Sequence, residues 1–185
     1  MSTMKRLLHR IEHNDKPNDA FAELCEQHFS QMLPQPISAL LSNLIVRFPS
    51  VREAAGQRLL RGERNKDVIV LVLPYLVGQL RINAGRSLLT RDREFENGSP
   101  FVERLVAVMQ YVPELRDEAW ELVKANYLHL GHLCDIIEFV DSLPHKEEAA
   151  RVLLGTTRDE GDKLYVINWV PSLEAEVIAM PPIAA

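Results

Sequence analysis

The chain has 185 residues, is 46% hydrophobic and 25% charged, and carries a formal net charge of −5. These figures suit one domain with a substantial core and exclude disorder of the whole chain. Two cysteines, Cys25 and Cys134, share no CxxC motif, which excludes a disulfide framework or a zinc knuckle and makes both expected core residues.

The start, MSTMKRLLHRIEHNDK, lacks an apolar run of signal-peptide length, so a cytoplasmic protein is expected. Within it HRIEH, His9 to His13, matches the inverted zinc-hydrolase pattern HxxEH, in which two histidines one turn apart bind zinc and the glutamate acts as base. With no strand context or third ligand, the match is set aside, and no metal and no cofactor are expected. Residues 1–36 are read as an N-terminal helical cap.

From residue 37 a unit recurs. PSVREAAGQRLL, GQLRINAGRSLL, PELRDEAWELV and PHKEEAARVLL place Ala55, Ala84, Ala119 and Ala150 at equivalent positions, with a degenerate copy at Val177. The intervals are 29, 35, 31 and 27 residues, within the range of stacked repeat architectures. Four residues before the reference stand Val51, Leu80, Leu115 and Lys146, and four after it Leu59, Leu88, Val123 and Leu154. That spacing makes one stripe of a helix, and the small reference residue lets another helix approach.

Apolar blocks between these helices, Val68–Leu76, Val102–Met109 and Leu133–Val140, have helical spacing too, so each unit reads as two helices. VIVLVL, Val68 to Leu73, would alone pass for a buried strand, but its place in the repeat favours helix. Its parent run of eleven residues contains Pro74, too short and broken to cross a membrane. Pro49, Pro113, Pro144 and Pro171 stand where second helices begin, Ser99 and Pro100 make a cap and first turn, and Gly62 and Gly155 are placed as C-terminal caps. RDREFENGSP, Arg91 to Pro100, is the longest expected loop. Residues 37–180 are read as the repeat stack and 181–185 as an irregular tail, forming one structural domain overall.

The pattern VREAAGQRL, echoed in LRINAGRSL, LRDEAWELV and KEEAARVLL, resembles the short HEAT-like repeats of the phycobilisome-lyase type. The resemblance implies an all-α fold, an α-solenoid of stacked antiparallel helix pairs forming a HEAT/armadillo-like superhelix. It also implies that Arg52, Arg81 and Arg116 form a structural arginine ladder, their guanidinium groups bonding carboxylates or carbonyls of the adjoining unit. Trp120, where a small residue is usual, and Lys146-Glu147, in place of an apolar-arginine pair, depart from the pattern.

Residues 1–45 hold 4 basic and 5 acidic side chains, 46–93 hold 10 and 4, and 94–185 hold 7 and 17. The basic middle, with Arg58, Arg61, Arg64 and Arg86, is read as orienting a partner with an acidic face. The position after the reference alanine holds Gly56, Gly85, Trp120 and Arg151, a size range that points to a surface, so Trp120 is expected to be an exposed anchor together with Tyr111. HLGHLCD offers His129, His132 and Cys134, but their spacing on a helix argues against a thiolate nucleophile. Enzymatic chemistry is therefore not supported. The expected function is a non-enzymatic protein-protein interaction module (scaffold, adaptor, chaperone or inhibitor) that binds along a helical-repeat groove. The alternatives are a nucleic-acid-binding or glycosylase-like repeat protein using the basic middle, which the acidic C-terminal half weighs against, and a bilin-lyase-like factor.

Overall fold

A computed structural model describes residues 2–62, 65–90, 99–125, 129–156 and 159–180. Among them every element is helical: α1 (Thr3–Glu12), α2 (Pro17–His28), α3 (Pro34–Arg47), α4 (Arg52–Gly62), α5 (Lys66–Val72), α6 (Gly78–Leu88), α7 (Ser99–Tyr111), α8 (Arg116–Lys124), α9 (Leu130–Phe139), α10 (Leu143–Thr156), α11 (Glu160–Trp169) and α12 (Glu174–Ile178). No described helix is long and apolar enough to cross a membrane. VIVLVL is helical, passing from α5 into a 3-10 turn at Leu73–Tyr75. Pro74 cannot donate its backbone nitrogen, which ends the α-helical ladder there.

The chain forms two compact units, Met1–Leu88 and Leu89–Ala185. In the first, α1 packs on α2, α3 on α4 and α5, and α6 on α4 and α5. In the second, α7 packs on α8 and α9, α9 on α10 and α11, and α11 on α12.

The five reference residues, Ala55, Ala84, Ala119, Ala150 and Val177, are all buried, as are Leu59, Leu88, Val123 and Leu154 one turn later. Each buried aliphatic side chain of this size contributes about 1.5–3 kcal/mol, so the repeated stripe is the spine of both cores. Gly56 shows how close the approach becomes. A Cβ there would stand 2.7 Å from Leu80 Cδ2 and 2.9 Å from Leu76 Cδ2. In the second unit α7 is buried almost all round, from Phe101 to Met109, with only Glu103 exposed.

Helix starts follow side-chain chemistry. Ser2 Oγ accepts from the Lys5 amide, Asn65 Oδ1 from that of Asp67, and Asp159 Oδ1 from that of Gly161, satisfying amides that lack an intrahelical acceptor. Pro144 lies in the first turn of α10, whereas Pro113 and Pro171 open 3-10 turns ahead of α8 and α12 and Pro49 sits in a turn before α4. Gly62 is the last residue of α4 and Gly155 lies inside α10, both without positive φ, so neither is a left-handed cap. Among the described residues the left-handed glycine is Gly78 at the start of α6, φ 54°. Nor are the cysteines core residues: both are half-buried. Most of the expected loop at 91–100 lies outside the described residues.

Candidate functional site

Helix α3 ends at Arg47 and α7 at Tyr111, and the last carbonyls of each have no amide partner inside their own helix. Arg52 Nε donates to the Ile45 carbonyl at 2.8 Å, and Arg116 Nε donates to the Met109 carbonyl at 2.8 Å. Both contacts span seven residues, so the same pin closes two helix pairs. Each arginine also reaches further. Arg116 Nη1 donates to the Asp141 carbonyl beyond α9 at 2.8 Å, while the Arg52 guanidinium lies 5.8 Å from the Tyr75 ring centroid. In the fourth repeat the job passes to Lys146, whose Nζ donates to the Glu138 carbonyl at 3.4 Å. Arg81 sits half-buried in the first turn of α6.

Trp120 is not exposed. It is 2% accessible, its indole Nε1–H donates to Glu148 Oε2 at 2.6 Å, and its ring meets His145 edge-on at 6.2 Å. Lys124 Nζ bonds the other Glu148 oxygen at 3.1 Å and lies 5.6 Å from the indole centroid. Burial pushes the Glu148 carboxyl up, but the Trp120 and Lys124 donors outweigh it and hold the group below its usual range. A carboxylate whose folded-state affinity for protons is depressed stabilises the fold at neutral pH and loses that contribution as pH falls through its folded pKa. Glu148 is nearly half exposed, so the effect is modest. Urea midpoints of the intact chain at neutral pH and at about pH 4 are expected to converge in Glu148→Gln relative to the parent.

Beside this pair, Ser142 Oγ and His145 Nδ1 are 2.7 Å apart, and His145 Nε2 lies 3.1 Å from Asp117 Oδ1. The series resembles a nucleophile relay, but its serine and histidine are local neighbours joined side chain to side chain at the start of α10. Ser142 immediately precedes α10 and His145 follows three residues later, and the Ser142 amide donates to the Val140 carbonyl at 2.9 Å. Asp117 is 95% exposed, whereas the aspartate of a relay is buried against its histidine.

The other nucleophile candidate resolves into capping. His129 Nδ1 accepts from the Gly131 amide at 3.1 Å, and His132 Nδ1 accepts from the His129 amide at 3.4 Å. Burial raises the Cys134 thiol above its ordinary range, and burial likewise raises Cys25. Neither is therefore an activated thiolate.

The first unit holds a groove of about 750 Å³ between α3 and α5. Ser38, Ala39, Ser42 and Val46 of α3 and Val68 and Leu71 of α5 line it. Ser42 spends its hydroxyl on the Ser38 carbonyl at 2.8 Å, which leaves the groove wall small and largely apolar. Leu71 is 61% exposed on the opposite wall. A neighbouring cleft of about 290 Å³ shares Pro34, Ser38 and Gly62 with the groove and adds Arg58 and Arg61. Arg61 also borders a third cleft of about 380 Å³ with Gln57, Asn83 and Ser87.

The expected basic residues are thus partly gathered. Arg58 and Arg61 flank connected clefts, Arg86 is exposed on α6, and Arg64 lies outside the described residues. Tyr111 is half-buried at the end of α7, in the second unit. The small face of α3 and Leu71 were missed. Their signal was a run of small residues, Ser38, Ala39 and Ser42, together with a leucine out of phase with buried Ile69 and Val72. Trp169, 42% exposed beside Tyr165, is the accessible indole that Trp120 was expected to be. No protein-family model, curated protein or solved structure matches this chain.

Proposed function

We propose that the chain is a non-enzymatic interaction module of HEAT-like helix pairs, an α-solenoid, whose first unit receives an apolar segment of another protein flanked by acidic residues. The repeated alternation of helices, with small buried residues at equal places and the same seven-residue arginine pin in both units, supports the solenoid reading. The binding reading rests on one observation: an apolar groove walled by exposed Leu71 continues into clefts bordered by Arg58 and Arg61. A small-residue wall admits a partner's side chains close to the backbone, and the guanidinium groups favour carboxylates at the rim. Apolar contact supplies affinity, while the charges set orientation and encounter rate.

Selection from a random peptide library on the intact protein tests this. Selected peptides are expected to pair apolar residues with Asp or Glu. Ala39→Arg with Leu71→Glu, both at exposed positions, is expected to weaken them about tenfold or more, roughly 1.4 kcal/mol. Arg58→Glu with Arg61→Glu is expected to remove the preference for acids. Peptides without acid enrichment, or with unchanged affinity for the groove variant, would overturn the reading.

A further inference from the structure

We propose that His9, Glu12 and His13 form a surface site for one divalent transition-metal ion of the zinc class. Positions 9 and 13 of a helix are one turn apart and share a face with position 12. The two imidazole centroids are 3.9 Å apart. One nitrogen of each ring and one Glu12 oxygen all lie within 4.8 Å of one another. Tetrahedral zinc with bonds of about 2.0–2.1 Å brings its ligand atoms to about 3.3 Å apart. Rotation of three exposed side chains closes that gap, while α1 holds His9 and Glu12 and the amide of its C-terminal cap, His13, is bonded back to the His9 carbonyl.

A second feature prepares the site. His13 Nδ1 lies 3.0 Å from the His9 carbonyl oxygen. A carbonyl only accepts, so the proton sits on Nδ1 and the lone pair on Nε2, the arrangement in which metal-binding histidines are held by a backbone acceptor. The intervening cation is otherwise engaged, since Arg10 pairs with Glu23 at 3.2 Å and with Asp15 at 3.7 Å.

The sequence pattern cast Glu12 as a base lacking a third ligand; the geometry makes Glu12 the third ligand. A donor set of two imidazoles and a carboxylate suits Zn²⁺, Ni²⁺ or Cu²⁺ and disfavours Mg²⁺ and Ca²⁺. The ion would fasten the last turn of α1, where the chain enters a turn with Asn14 and Lys16 at φ 56° and 44°, and leave a coordination position for water or a ligand from another molecule.

Titration calorimetry of the untagged chain with zinc chloride, with magnesium chloride as comparison, tests the site. Expected are one zinc ion per chain and no heat of binding with magnesium. His9→Ala and His13→Ala are each expected to lower zinc affinity about tenfold or more, with a smaller loss for Glu12→Gln and none for His129→Ala. All three ligands are exposed, so the far-UV circular dichroism of these variants should match the parent. Absence of zinc binding, or undiminished binding by a His9→Ala, His13→Ala double variant, would overturn the proposal.

Discussion

Trp120→Ala is expected to destabilise the second unit by about 3–5 kcal/mol, the range for removing a buried indole from a packed interior. The loss has two parts. One is the cavity left where the ring packs beside His145. The other is Glu148, which loses its 2.6 Å donor while remaining beside Lys124. Trp120→Phe separates them, because phenylalanine retains much of the packing and none of the hydrogen bond. Its cost is expected to be about 0.5–1.5 kcal/mol, that of a typical hydrogen bond, because Glu148 is nearly half exposed and keeps Lys124. Native-state hydrogen exchange checks both variants. Protection should fall in α8 and α10 and remain in α3 to α6, since the contacts of Trp120 lie with His145 and Glu148 of α10 and Lys124 of its own helix. Unchanged protection of α10 would show that the indole does not join these helices.

Arg116→Ala is expected to cost the second unit about 2–3 kcal/mol, the scale of hydrogen bonds donated by a charged group. It withdraws the donors to Met109 and Asp141, one at the end of α7 and one beyond α9. Arg116→Lys should recover little, because one ammonium cannot reproduce two bonds made by separate nitrogens of a planar fork. Arg52→Ala is the matching experiment in the first unit. Its expected cost is smaller, since the second carbonyl bond of Arg52, from Nη2 to Val46, is long at 3.5 Å and goes to the same helix end, and its further reach is to the Tyr75 ring. Urea unfolding followed by circular dichroism measures all three, and equal effects of Arg116→Ala and Arg116→Lys would confirm that the forked geometry matters.

The helices were legible because their signal is local. Ala55, Ala84, Ala119, Ala150 and Val177 could be aligned by eye, and each is buried where a helix stripe requires it. Even VIVLVL, ambiguous alone, was settled by its neighbours in the repeat. What a residue meets across the fold was not legible. Trp120 occupies a place where its counterparts range from Gly56 to Arg151, which suggested a surface; its partner Glu148 stands 28 residues away, beyond any periodic argument. The groove escaped notice for a related reason. Ser38, Ala39 and Ser42 look like an ordinary polar face until α5 sets Leu71 opposite them. The arginine pins lay between these extremes. The residues were identifiable from the repeat, but for Arg52 and Arg116 the Nε acceptor is a carbonyl of the preceding helix rather than the adjoining pair, while Arg116 Nη1 and the Arg52 guanidinium reach beyond, to the Asp141 carbonyl and the Tyr75 ring.

The tight seat of Gly56 against Leu76 and Leu80 bears on how such a chain can be rearranged. Equivalent sites that hold hydrogen alone in one half and an indole in the other cannot trade their segments. A chimera carrying the α8 sequence in place of α4 would drive a bicyclic ring into two leucines, and the reverse exchange would leave Glu148 facing a void. Shuffled or consensus versions must therefore change both sides of each seam together, so inheritance here is by matched neighbours rather than by single modules.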